Sequence, residues 1–391
     1  MTASAACIIL VNMHPHTMLV IGVMLGAGAP AKVTTAQPVD PTPPTQAAQP
    51  FDDASSVERL RAEAAALLVD VKEPGPRRFL VATSYLPMHG DRELFVNRAA
   101  RAYLTPDQYH ALAEAERAGY ESRMVTEHEY YYTKYGSPMA YIRPIELICE
   151  HLGGGWDPLK DRRVLDFGYG TIGHLRLLAS IGVDAVGVDV DPMLPALYRE
   201  PDDTGEVQGV PMGEETMPNG RVTLVHGRWP AEAEAVEKVG KGFDVILSKN
   251  TLKNGYINPE HPVDPRMLVR LGVSNEAFLG KVAEALKPGG LFVIYNICPA
   301  QDPDPAKWKP WADGRCPFTR EQIDAAGFDV LAFDKDDDEA ARRVGRALQW
   351  HIGPGAMDLE ADLYAHYTIL RRRDASPAPH SPTPARPVVA P

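Results

Sequence analysis

The stretch RVLDFGYGTIGH, residues 163–174, decides the fold. Val164 and Leu165 read as a buried strand, and Asp166 stands where that strand would end. Gly168, Gly170 and Gly173 follow at G-x-G-x-x-G spacing, and Leu175, Leu177 and Leu178 begin the apolar face of a helix. A sharp strand-to-helix turn needs backbone angles that glycine reaches most easily, and a ligand can come close to bare backbone there. The helix start is expected to offer free N–H groups to an anionic part of that ligand.

Glycine turns follow many strands, so the spacing alone does not name a ligand. Two acids narrow it. Asp166 lies two residues before the first glycine, where a dinucleotide fingerprint carries an apolar residue. A carboxylate there repels a pyrophosphate and suits a cationic amino group. The second acid closes another apolar strand, VDAVGVDVDP at 183–192, whose Asp189 stands where a ribose diol would be bound. The two acids describe a ligand with a ribose and an ammonium end and little phosphate. S-adenosylmethionine fits that description better than NAD.

With these residues the chain resembles the class I S-adenosylmethionine-dependent methyltransferases over roughly residues 140–372. Four pieces carry the resemblance in order: DFGYGTIG, Asp189 after the second strand, FDVILSKNTL at 243–252, and LKPGGLFVIYN at 286–296. The resemblance implies an α/β fold with a doubly wound, mostly parallel seven-stranded sheet, and methyl transfer as the activity. It implies that Asp166, Gly168, Tyr169, Gly170, Gly173, Asp189, Val190 and Asn250 line the cosubstrate site. His226 and Gly227 fall where the family meets the adenine, although a single His at a strand end is also an ordinary structural residue.

Composition sets the outer limits. The chain has 391 residues, 45% of them hydrophobic, enough for a sizeable core. A formal net charge of −12 disfavours a nucleic-acid partner, which calls for a basic face. The four cysteines, Cys7, Cys149, Cys298 and Cys316, show no C-x-x-C spacing, so neither a zinc site nor a disulfide framework is expected, and no metal cofactor.

Residues 1–37 hold a short apolar run, MLVIGVMLGAGAPA, followed by small residues at signal-cleavage spacing. No Lys or Arg precedes it, so export by a signal peptide and a disordered leader in a cytoplasmic protein both stand, and no stable membrane span is expected. Residues 38–50 are a proline-rich linker and 374–391 a matching tail. Residues 51–144 read as a mainly helical accessory region: a helix capped by Ser55 or Ser56, a strand or extended piece at 79–86, a hairpin over 93–106 and a helix that starts at Pro106 behind Thr105 and runs towards Gly119.

The end of that region, EHEYYYTKYGSPMAYIRP at 127–144, is rich in tyrosine. Tyrosines there either glue the accessory region to the core or form a lid over the cosubstrate. The lid reading assigns Tyr131 and Tyr135 to the cosubstrate, because consecutive tyrosines on a helix cannot all meet one packing surface. Residues 145–373 form the cosubstrate-binding domain, with 201–220 a surface insertion and 258–275 a loop suited to cover a substrate.

The fourth strand delivers SKNTLKNGY to the carboxyl edge of the sheet, where Lys249, Lys253 and Tyr256 are the candidates for acid–base or substrate-anchoring chemistry. The family's amino-methylating D/N-P-P-Y motif is absent, as is the acidic set that would hold a magnesium. Three functions therefore compete: methyl transfer to a small molecule, a non-catalytic binding protein of the same fold, and a nicotinamide oxidoreductase. The sequence names neither the acceptor nor the oligomeric state.

Overall fold

A computed structural model describes residues 55–132, 136–153, 157–353 and 355–374. The expected leader, the proline-rich linker and the tail beyond residue 374 lie outside these residues. Among the described residues no helix is long and apolar enough to cross a membrane.

The accessory region opens with α1 (Ser56–Leu68), capped by Ser55, whose hydroxyl accepts from Glu58 N while Glu58 caps back. α2 (Pro74–Ala82) follows. The strand or extended piece expected at 79–86 is thus mostly helix. Pro74 stands in its first turn, where a missing N–H costs nothing, and Phe79 and Leu80 turn inward with Pro76 at helical spacing. A three-stranded antiparallel sheet accompanies the helices. The expected hairpin is β1 (Arg92–Asn97) with β2 (Ala102–Leu104), and β3 (Glu121–Val125) pairs on the other side of β1. Between them α3 (Pro106–Ala111) has its Thr105 cap but stops short of Gly119, because Leu112 turns extended. α4 (Glu127–Tyr131), a 3₁₀ turn at Pro138–Tyr141 and α5 (Ile142–Leu152) lead to the large sheet.

That sheet begins with β4 (Arg163–Phe167), α6 (Gly173–Ser180), β5 (Asp184–Asp189) and the single turn α7 (Leu194–Leu197). The insertion at 201–220 carries three short strands: β6 (Gly205–Val207) and the two-residue pair β7 (Pro211–Met212) and β8 (Glu215–Thr216). Then come β9 (Gly220–His226), α8 (Ala233–Val239), β10 (Phe243–Lys249), α9 (Asn254–Ile257) and α10 (Asn275–Ala285). β11 (Leu286–Cys298), α11 (Arg320–Ala325), β12 (Phe328–Asp336), α12 (Asp338–Ala347), α13 (Leu359–Asp362) and β13 (Tyr364–Arg372) complete the chain.

The strand order is β12-β13-β11-β10-β4-β5-β9-β6. β4, β5, β9, β10 and β11 run parallel, and β13 lies antiparallel between β11 and β12. The seven strands implied by the resemblance are present. The insertion adds an eighth, β6, whose backbone covers the open edge of β9 antiparallel. The central strands are buried on both faces. One face packs against the accessory helices, α5, α6 and α12 through Val164, Val245, Leu247 and Leu291. The other packs against α8, α10 and α11 through Leu165, Ile246, Phe292 and Phe278.

The accessory region is fastened by one buried carboxylate. Asp203, fully buried, accepts a forked pair from Arg92 at 2.7 and 2.9 Å, the Tyr130 hydroxyl at 2.7 Å and its neighbour Glu200 N at 2.8 Å. A buried acid stripped of its counter-charge costs about 3–5 kcal/mol. Arg92→Met should therefore lower the unfolding free energy in urea by about 3 kcal/mol. A loss below about 1 kcal/mol would show that the fork contributes nothing net.

Candidate functional site

The strand order reverses beside β4: the chain passes from β4 to β5 and β9 on one side, then returns to β10 and β11 on the other. Ligands of doubly wound sheets bind at the carboxyl ends of the strands at such a point. The residues delivered there are Asp166 and Phe167 from β4, Asp189 from β5 and Lys249 from β10. Asp166 pairs in register with Leu247, so Lys249, two residues on, projects from the same face of the sheet as Asp166.

Asp166 is only 1% exposed. Its Oδ2 accepts from the Tyr141 hydroxyl at 2.9 Å and from His174 Nε2 at 2.7 Å. Its Oδ1 has no partner among the described residues. Burial holds the His174 pKa down in spite of the acid, so the imidazole is a neutral donor with its proton on Nε2 rather than one half of an ion pair. The Tyr141 ring stacks on the imidazole at 3.6 Å and 6°. Lys249 Nζ stands 5.0 Å from the Tyr141 ring centroid. Among the described residues Nζ has no hydrogen-bond partner. Burial lowers its pKa to about 8, with Asp166 pulling upward and Lys253 adding to the fall. An acid, a lysine, a phenol and a neutral imidazole thus meet at one strand end.

Asp189 faces the other side of the turn. Its Oδ2 accepts from Gly170 N at 3.0 Å and its Oδ1 from Asp191 N at 2.9 Å, which leaves each oxygen one lone pair. Burial raises its pKa. Val190 beside it is 57% exposed, an apolar side chain set against an acid at the sheet edge. His226 is exposed, with Nε2 3.3 Å from Val190 O, and Gly227 N donates to Asp189 O at 3.0 Å. Val190, His226 and Gly227 therefore gather around Asp189, while Tyr169 is buried with its ring against Gly187.

The glycine turn has the backbone angles expected of it, but its helix start differs. Gly170 has φ +58°, a backbone state that side chains resist. Gly168, at φ +81°, shares that demand and adds one from packing, since a Cβ there would sit 2.3 Å from Thr251 Oγ1. At Gly173 a Cβ would meet Pro138 at 2.6 Å and Tyr131 O at 3.0 Å. The start of α6 is buried beneath the accessory region, and Ile172 N donates to the Tyr198 hydroxyl. The free, anion-ready helix start expected from the sequence is therefore closed.

The remaining candidates lie elsewhere. Lys253 is 4% exposed and its Nζ donates to Ile297 O at 2.5 Å and Trp311 O at 3.2 Å, tying two loops together. Tyr256 is buried with its ring 5.6 Å from that ammonium. Asn250 uses Oδ1 to cap Ile297 N at 2.7 Å. Tyr130, Tyr131 and Tyr132 are all buried, contrary to the argument that one must face away. α4 ends at Tyr131 and Tyr132 is extended, so the three rings leave in different directions: to Asp203, to Pro87 O and to Glu63. Tyr131 is thus placed in packing, and Tyr135 lies outside the described residues. His174 and Tyr141 were not singled out in the sequence. The available signal was a histidine on the same helical face as Leu177 and Leu178, eight residues after a strand-end acid.

No family model and no curated protein sequence matches the chain. Solved structures to which it is similar include the [4+2]-cyclase SpnF, at 16% identity over 63% of this chain and 87% of that one, with a TM-score of 0.34. A precorrin-6y C5,15-methyltransferase from Geobacter metallireducens is 12% identical over 63% and 95%, TM-score 0.32. The 1,6-didemethyltoxoflavin-N1-methyltransferase of Burkholderia thailandensis, solved with S-adenosylhomocysteine, is 16% identical over 59% and 76%, TM-score 0.30. At such scores the likenesses carry no weight for substrate or chemistry. The class of fold rests on the strand order itself: a doubly wound α/β sheet with an antiparallel strand between its last two parallel neighbours.

The Lys249 pKa gives a pH test. Its folded value, about 8, lies below the ordinary 10.5, so between these pH values the unfolded chain binds more protons and stability rises with pH. Below pH 8 the native state carries the full cost of the partly buried ammonium. Lys249→Met should therefore be more stable than wild type at pH 7, by on the order of 2–3 kcal/mol. The gap should close between pH 8 and 10.5 in chemical denaturation. A gap that is constant over that range would show a solvated rim lysine.

Proposed function

We propose that this chain is an S-adenosylmethionine-dependent methyltransferase acting on a small-molecule acceptor. One observation carries the reading: the two acids at the carboxyl edge stand in different states suited to the two ends of one ligand. Asp166 is buried with an oxygen free of protein donors, the setting for an ammonium. Asp189 is held by two backbone amides and keeps a lone pair on each oxygen, the setting for a ribose diol. Val190 offers an apolar surface beside it for a base.

The cosubstrate supplies the chemistry, a methyl on a sulfonium that passes in line to a nucleophile and leaves a thioether. The protein's part is alignment and exclusion of water, which can provide much of such a rate enhancement without a dedicated base. Asp166 and Asp189 fix the two ends of the donor, and the accessory region packs over the face of β4 that carries Asp166. A nicotinamide enzyme is disfavoured by Asp166, a carboxylate at the strand end where a dinucleotide fingerprint carries an apolar residue.

Asp189→Ala removes two charge-assisted hydrogen bonds to the diol, worth ~1.5–3 kcal/mol each. S-adenosylmethionine affinity in calorimetry should fall at least tenfold with cooperative unfolding retained. Unchanged affinity would refute the assignment. Formation of S-adenosylhomocysteine with small-molecule extract should then separate an enzyme from a binding protein, which gives none.

A further inference from the structure

We propose that Lys249 is the receptor for the α-carboxylate of the amino-acid end of the ligand whose α-ammonium meets Asp166 Oδ1, so that the protein selects an intact zwitterion. The inference rests on the reading above and assigns a residue and a selectivity that the reading does not contain.

Lys249 and Asp166 project from the same face of adjacent parallel strands, at the ends nearest the ligand. They do not neutralise each other directly. Asp166 uses Oδ2 on Tyr141 and His174, and the Tyr141 ring stands beside the Lys249 ammonium at 5.0 Å. Two opposite charges thus share Tyr141 as a neighbour without pairing with each other, each with capacity left over. Oδ1 lacks a donor, and Nζ lacks an acceptor among the described residues. A buried, unmated acid oxygen is costly unless something arrives to use it. An α-amino acid carries its ammonium and carboxylate on one carbon, and so can serve both groups at once.

The charges agree as well. S-adenosylmethionine brings two positive groups and one negative group. The edge presents Asp166 and Asp189 against one lysine, and with its pKa near 8 that lysine is protonated at neutral pH. Tyr141 and His174 act as positioning residues. By donating to Oδ2 together they fix the carboxylate and leave Oδ1 as its one oxygen without a protein donor. The neutral imidazole adds no second positive charge against the incoming ammonium.

The test compares S-adenosylmethionine with its decarboxylated form, which keeps the sulfonium and the ammonium and lacks only the carboxylate. Calorimetry on the full chain should show wild type binding S-adenosylmethionine at least tenfold more tightly than the decarboxylated form. Lys249→Met should erase that preference by weakening S-adenosylmethionine about tenfold, with less than a twofold change for the decarboxylated ligand. Lys249→Arg should retain part of the preference. Equal losses for both ligands in Lys249→Met, or an unchanged preference, would overturn the assignment while leaving the cosubstrate reading intact. Binding of neither ligand to wild type would overturn the cosubstrate reading and this inference with it.

Discussion

A carboxylate buried to 1% exposure, with both protein donors on the same oxygen, sets the constraints at the carboxyl edge of this sheet. Charge removed from water must be matched by donors or counter-charge. Asp166 is matched by halves. Tyr141 and His174 serve Oδ2, and Oδ1 is left for a group the protein does not supply. Each partner imposes a further demand. His174 sits in the first turn of α6, so the glycine turn must be tight enough to bring that turn back over β4. Tyr141 closes the 3₁₀ turn 138–141, so the accessory region must dock close enough to put a phenol against the strand end. Gly173, with no Cβ, lets Pro138 approach to make that possible.

The docking is built from the same loop. The Thr171 hydroxyl lies 3.1 Å from Tyr130 O and 2.9 Å from Tyr131 O, and the Tyr198 hydroxyl donates to Tyr130 O at 2.9 Å. The Arg92–Asp203 fork completes the seam from the other side. Accessory region and glycine loop are thus one hydrogen-bonded unit, and the tyrosine-rich segment is its mortar. Anything that loosens α4 also loosens the turn that holds Gly170 against Asp189.

The parallel strands, the two acids and the capping residues Ser55 and Thr105 were legible in the sequence, because each depends on local pattern: apolar runs, an acid at a strand end, a hydroxyl before a helix. What was not legible depended on distance in the chain. Phe79 and Leu80, adjacent and apolar, read as a strand or extended piece from local pattern, and only packing on α1 and α5 shows the helical register of α2. β6 became a strand by pairing with β9, a tertiary event in a segment whose Gly, Pro and Glu content argued for surface loop. The closed start of α6 could not be foreseen, since Pro138 and Tyr131 reach Gly173 from outside the β–turn–α unit. Lys249 and Lys253 look alike in sequence, four residues apart. Lys249 closes β10 and stands beside the Tyr141 ring, whereas Lys253 lies past the strand end and donates to the Ile297 and Trp311 carbonyls.

A residue kept for a ligand rather than for the fold should be replaceable at no loss to the empty protein. Asp166→Asn keeps an oxygen that can accept from both Tyr141 and His174, and it removes a buried charge. The decisive measurement is thermal unfolding of wild type and Asp166→Asn, each with and without S-adenosylhomocysteine. This account predicts that the ligand-free variant melts at or above wild type while the ligand-induced rise in melting temperature is largely lost. A variant that melts well below wild type and keeps the full ligand-induced rise would contradict it, showing that Asp166 serves the fold and that the ligand is bound elsewhere.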